Sequence, residues 1–209
     1  MLQTELIPST KTESKWLMVL LHGLGDSMEG YRWLPNALDL PWLNYLLVNA
    51  PDDYHGGFSW YDIYDNPDPG VKRSRALLEE LLDGQRESGY PAKQTFLFGF
   101  SQGCLMTMEI AMRYEHRLAG CIGISGYVHQ PGNALNELTE VSREQEILFT
   151  YGTFDPIIPV EKVKGQLHQL SADGKLQIES HEFAKEHTIA GVEELSLIRD
   201  FIRVRGPEG

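Results

Sequence analysis

The stretch FLFGFSQGC, from Phe96 to Cys104, sets a serine between two glycines directly behind a run of strand-forming apolar residues. A serine that only caps a turn has no need of glycine on both sides. One held in a strained, exposed position at a strand end does, because glycine lets the strand and the following helix approach closely. Gly99-Phe100-Ser101-Gln102-Gly103 matches G-x-S-x-G. The five letters decide little alone: at a glycine usage of about 7% and a similar one for serine, they arise by accident in roughly one chain in ten of this length. Their setting decides more. QTFLFGF reads as a strand and Gln102 to Tyr114 as a helix, which is the strand–turn–helix context of a nucleophile elbow. Ser101 is therefore the candidate nucleophile.

Outward from this turn, strand-like and helix-like segments alternate along the chain. WLMVLL (Trp16 to Leu21), YLLVNAP (Tyr45 to Pro51), LAGCIGISG and EILFTYG (Glu146 to Gly152) read as buried strands, and KLQIESHEF as a last, alternating one. Helices are expected from Val71 to Ser88, from Val160 to Leu170 and from Gly191 to Val204. DDYHGGFSWYDIYDNPDPG, rich in Gly, Pro and Asp, reads as a long irregular loop. The pattern predicts an α/β fold with a mostly parallel central sheet flanked by helices, no large cap, and one domain over residues 1–209.

A nucleophilic serine needs a base, and the base needs a carboxylate to orient it; on this scaffold they follow in the order Ser, Asp, His. Asp155 stands just beyond a strand in YGTFDPIIP, where an Asx turn before proline is the competing reading. Two histidines follow it near the last strand. His181 lies inside KLQIESHEF and would be held by the sheet, whereas His187 lies in the loop AKEHTIAG and can swing over the strand ends, so His187 is favoured. LLHGLGDS carries an early strand into a loop with Gly23 and Gly25 that frees backbone N–H groups. The amides of Leu24 and Gln102 are the expected oxyanion donors, with His22 bracing the loop. A phosphate loop is excluded by spacing, because Met28 stands where G-x-G-x-x-G needs glycine. Neither H-E-x-x-H nor a Cys/His ligand set occurs, so no metal or other cofactor is expected. Trp60, Tyr61, Ile157 and Ile158 are candidates to line the acyl site, against the alternative of core packing.

Composition narrows the partners. The chain has 209 residues, 42% of them hydrophobic, and 30 acidic against 18 basic side chains give a net charge of -12. Such a surface repels nucleic acid and anionic membranes. No apolar run is long enough to span a bilayer, and the first residues lack the pattern of a signal peptide. With Cys104 and Cys121 forming no C-x-x-C pair, a reduced, cytoplasmic setting is expected.

Taken together, LHGLGDS, NAP, SWYDI, GFSQG, FDPIIP and the late histidine resemble the phospholipase/carboxylesterase branch of the α/β-hydrolases, over about Trp16 to Ile202. The resemblance implies an α/β-hydrolase fold with Ser101, Asp155 and His187 as the catalytic residues and Leu24 and Gln102 as oxyanion donors. It further implies cofactor-free cleavage of small-molecule carboxyl esters or acyl thioesters, and a homodimer. The chain departs from the pattern at Cys104 and Glu186, where the family usually carries glycine, and DDYHGGF is shorter than the usual segment there. Cys104 is expected to tighten helix packing, and Glu186 sets a carboxylate beside the base. Peptidase or lactone chemistry on the same fold, and an inactive acyl-binding scaffold, remain open.

Overall fold

The chain enters its sheet through a strand that the sequence does not advertise. Thr4–Ile7 forms β1, an edge strand of only four residues with alternate side chains exposed, too short to carry a legible period. It pairs antiparallel with β3 (Leu43–Val48), and β3 pairs in parallel with β2 (Trp16–Leu21). The sheet continues through β6 (Thr95–Phe100), β7 (Gly120–Ile124), β8 (Glu146–Gly152) and β9 (Gln177–Phe183), in the order β1-β3-β2-β6-β7-β8-β9. Every pairing after the first is parallel. This computed structural model describes residues 1–172 and 175–207; residues 173–174 and 208–209 of the expected domain lie outside the described residues.

The central strands are continuous apolar runs because both of their faces are covered. On one face, α2 (Pro67–Glu87), α3 (Gln102–Arg113) and α5 (Val160–Ser171) share a core with alternate residues of β2, β6 and β8. On the other, α1 (Leu34–Leu38) and α6 (Gly191–Arg205) bury Leu34, Leu38, Ile198 and Ile202 against Met18, Phe98 and Leu148. A short helix, α4 (Pro131–Ala134), lies between β7 and β8. Every residue of α3 from Gln102 to Met112 is buried, as expected of a helix held between sheet and outer helix. The α2 helix begins at Pro67 rather than Val71: Asn66 caps it by accepting the Asp68 amide at 3.1 Å, and proline suits its first turn.

The segment read as irregular loop contains a hairpin. β4 (Asp52–Tyr54) and β5 (Gly57–Ser59) pair antiparallel around the two-residue turn His55-Gly56, with φ of 46° and 90°. Positive φ at both turn residues matches the right-handed twist of the strands, so a His-Gly pair does what Asn-Gly more often does. Behind the turn, a Cβ on Gly57 would collide with the Gly25 carbonyl, so the hairpin packs backbone to backbone on the glycine loop after β2.

The elbow is built by similar close approaches. Ser101 takes φ 55° and ψ −112°, and a Cβ on Gly103 would strike the Leu21 carbonyl of β2. On the strand side, one on Gly99 would strike the Gly103 carbonyl. Cys104 fits because Gly126 opposite it carries no side chain: a Cβ there would strike Cys104 Cβ and Sγ. Gly103→Ala should therefore lower stability by about 2 kcal/mol or more, since the overlap is with backbone that cannot repack. A shift in the urea midpoint checks this.

Candidate active site

At the carboxyl ends of β6, β8 and β9, three side chains stand in hydrogen-bonded file. His187 Nε2 lies 2.9 Å from Ser101 Oγ, and His187 Nδ1 lies 2.7 Å from Asp155 Oδ2. The Asp155 side chain is 3% exposed and that of His187 is 14% exposed. The other Asp155 oxygen, Oδ1, accepts the amides of Ile157 and Ile158, each at 2.9 Å. The Asx turn and the histidine partner are thus not competing readings, since one carboxylate does both. Burial by itself would raise the Asp155 pKa, but the Ile158 amide, the His187 ring and the Ile157 amide outweigh it and hold it below the usual value. An ionised Asp155 can only accept, so Nδ1 carries the ring proton and Nε2 is left to accept from the Ser101 hydroxyl. His181 sits on β9 against Glu179 at 2.8 Å, away from this file. Glu186 is exposed, and neither bond of His187 involves it.

Beside Ser101 lies the loop from β2. Its Gly25 amide donates to Phe58 O of β5 at 2.9 Å, and Phe58 N returns a bond to Asp26 O at 2.9 Å, so the hairpin holds the loop as a third strand would. The Leu24 amide, one residue before these fixed points, has no backbone acceptor among the described residues. Gln102 opens α3, so its amide has no intrahelical acceptor either. Both residues line the cavity that Ser101 and His187 face.

His22 braces the loop as expected. It is fully buried, its Nε2 accepts the Ala50 amide at 3.1 Å, and Nδ1–H donates to Gly23 O at 2.7 Å. That pattern needs the neutral ring, and burial, outweighing the Gly23 carbonyl and Asp26, lowers its pKa from 6.5.

The cavity has a volume of about 450 Å³. Tyr61, Ile157 and Ile158 line it together with Tyr127; the Tyr61 and Tyr127 hydroxyls are 3.3 Å apart. Trp60 does not line it. Its side chain turns inward into the core and its indole N–H donates to His22 O at 2.9 Å.

Two side chains to which the motifs assign no role hold the site together. The buried Gln102 side chain accepts the Trp60 amide through Oε1 at 2.9 Å and donates from Nε2 to Tyr61 O at 2.8 Å, which fastens the cavity wall to the elbow. The Glu194 carboxylate, fully buried in the first turn of α6, pairs with the Lys185 ammonium at 2.6 Å. It also accepts the Thr150 hydroxyl of β8 and the Ala190 amide. Lys185 and Ala190 stand on either side of His187, so one carboxylate ties both ends of its loop to the sheet. Burial outweighs the attraction of Glu194 and lowers the Lys185 pKa.

A seven-stranded, mostly parallel sheet between helices, with a serine elbow after β6, defines an α/β-hydrolase. The chain belongs to the phospholipase/carboxylesterase family, whose sequence profile matches residues 2–205. Acyl-protein thioesterase 1 of Schizosaccharomyces pombe is 35% identical over 155 residues, covering 68% of this chain and 69% of that protein. Acyl-protein thioesterase 1 of Candida albicans is 27% identical over 221 residues, covering 94% and 95%. Among solved structures, esterase PE8 superposes with a TM-score of 0.86 at 24% identity, over 97% of this chain and 98% of that one. Zea mays acyl-protein thioesterase 2 superposes with a TM-score of 0.79 at 21% identity, over 97% and 98%. Among the described residues, no helix is long and apolar enough to cross a membrane.

Two stability predictions follow from the buried polar groups. Glu194→Gln leaves the Lys185 ammonium buried without its counter-charge and should lose about 3 kcal/mol or more in denaturant unfolding. The His22 effect depends on pH. Below 6.5 the unfolded chain binds a proton that the folded His22 refuses, so its contribution, complete at neutral pH, fades as pH falls. The stability gap between wild type and His22→Gln should therefore narrow between about pH 7.5 and about pH 5, as followed by urea unfolding.

Proposed function

We propose that the protein hydrolyses carboxyl esters or acyl thioesters of small to medium acyl chains through an acyl-enzyme on Ser101. The observation that carries this reading is the file from Ser101 Oγ through His187 to Asp155, at 2.9 and 2.7 Å, set on a positive-φ elbow. As Ser101 Oγ attacks the carbonyl carbon, His187 Nε2 takes its proton; Asp155 keeps the ring in the needed tautomer and stabilises the imidazolium. The carbonyl oxygen, gaining charge, rests between the Leu24 and Gln102 amides, which need no reorganisation to receive it. His187 returns the proton to the departing oxygen or sulfur, and then activates the water that releases the acid.

Tyr61, Ile157 and Ile158 receive the acyl chain in a cavity of about 450 Å³. Each buried methylene favours binding by about 0.8 kcal/mol, so kcat/KM should climb about fourfold per carbon until the cavity is filled, and fall beyond it. Every catalytic role falls to a protein group, so turnover should survive EDTA. We also place the reaction in a reducing compartment such as the cytoplasm, a reading supported by Cys104 and Cys121 being free and buried.

A fluorophosphonate probe and a soluble short-chain ester test this reading. Ser101→Ala should abolish both labelling and hydrolysis in a folded protein, and near-normal turnover would refute the assignment. Asp155→Asn should lower kcat by about 10⁴-fold, and His187→Ala by at least as much, whereas His181→Ala should leave kcat near wild type.

A further inference from the structure

His187 borders a second cavity. It too has a volume of about 450 Å³, and its own walls are Tyr31, Trp33, Ile189 and Leu195. Asp26, Phe100 and His187 line both cavities, and the Phe100 and His187 rings form the ridge between them with centroids 5.1 Å apart. Of the two, only the first reaches Ser101, Leu24 and Gln102.

We infer that the second cavity is the leaving-group subsite, and that it takes an uncharged, apolar alcohol or thiol about the size of an aromatic ring. The inference rests on the hydrolase reading of Ser101 and His187 and assigns the half of the substrate which that reading leaves open. In the first step the Ser101 Oγ–carbon bond forms and the bond from carbon to the leaving oxygen or sulfur breaks. The leaving atom keeps the electron pair and receives the proton that Nε2 took from Ser101.

Four groups surround the reacting carbon. Ser101 Oγ holds one position and the oxygen between the two amides a second. The leaving atom must lie within reach of Nε2, and the acyl chain takes the position that remains. The Nδ1 edge of the ring is closed by Asp155, whose other oxygen holds the Ile157–Ile158 turn of the first cavity. A leaving group that meets Nε2 therefore continues over the ring onto its other side, where Thr188 and Ile189 lead into the second cavity. The walls there are the Trp33 ring, 42% exposed, and the aliphatic Ile189 and Leu195. The Asp26 carboxylate at the junction opposes anionic leaving groups.

Two ester series test the inference, with active sites counted by fluorophosphonate titration. In the first, the acyl group is constant and the leaving alcohol runs from methanol to 2-phenylethanol, with a carboxylated analogue as the anionic member. In the second, the acyl chain lengthens on one alcohol. For wild type, kcat/KM should rise about tenfold along the first series, as a ring leaves water for an apolar cleft, and the carboxylated ester should be the poorest. Trp33→Ala should flatten the first series and leave the slope of the second unchanged; Ile157→Ala, at a residue 66% exposed, should do the reverse. Both substitutions remove exposed side chains, so neither threatens the core. A first series that is flat in wild type, or unmoved by Trp33→Ala, would overturn the subsite while ester turnover and Ser101 labelling persist. Loss of all turnover and labelling in wild type would overturn the hydrolase reading itself, and the subsite with it.

Discussion

The first turn of α3 lies so close to the sheet that backbone meets backbone on either side of Ser101, and the rest of the site depends on that approach. Gly99 and Gly103 admit no Cβ there, and Ser101 between them is held at positive φ. A non-glycine residue in such a conformation costs about 1–3 kcal/mol and persists only where its surroundings over-determine it. Here they do, since α3 is buried along almost its whole length and cannot back away from β2 and β6. The same approach puts the Gln102 amide beside the serine and sends the Gln102 side chain back to Trp60 and Tyr61. The Ser101 turn, the Gln102 amide beside it and the tie to the cavity wall are thus three products of one packing constraint.

The histidine loop is held by a different kind of force. Lys185 and Glu194 are both buried, and taking two such charges out of water costs several kcal/mol each before their attraction is counted. Apolar pairs of similar shape are often at least as stable as buried ion pairs. What the carboxylate adds is direction: it binds the ends of the loop and Thr150 of β8 at fixed angles, which an apolar contact does not do. The backbone of the Asp155 turn is fastened to the same segment, with Thr153 N and Phe154 N donating to Phe183 O and Lys185 O at 2.9 and 3.1 Å. His187 and Asp155 therefore share a frame, and their 2.7 Å bond does not rest on either loop alone.

How much of this was legible in the sequence follows from how local each signal is. The elbow is legible because strand, glycines, serine and helix are consecutive. Asp155 and His187 are legible because chain order and the end of a strand suffice to place them. That Tyr61 borders the cavity while Trp60 does not was not readable, since a loop has no period that separates two adjacent buried aromatics. The β4–β5 hairpin was hidden because its turn is His-Gly and its strands have three residues each. The roles of Gln102 and Glu194 lie in partners far along the chain. A glutamate in the first turn of a helix ordinarily answers the helix dipole from the surface, and only the packing of α6 against β8 makes this one a buried hub.

The two-residue turn at His55-Gly56 bears on how such a site diversifies. Nothing stands within 4 Å of where a Gly56 side chain would begin, whereas the other end of the hairpin is bolted to Gly25 and Asp26. Exposed hairpin tips tolerate added residues better than any packed position. An insertion there would grow outward from the wall of the glycine loop after β2, leaving the loop's own bonds and both cores untouched. The fold therefore carries a growth point beside its reactive centre, where a lineage can acquire a cover over the catalytic cleft, or lose one, without refitting the machinery beneath.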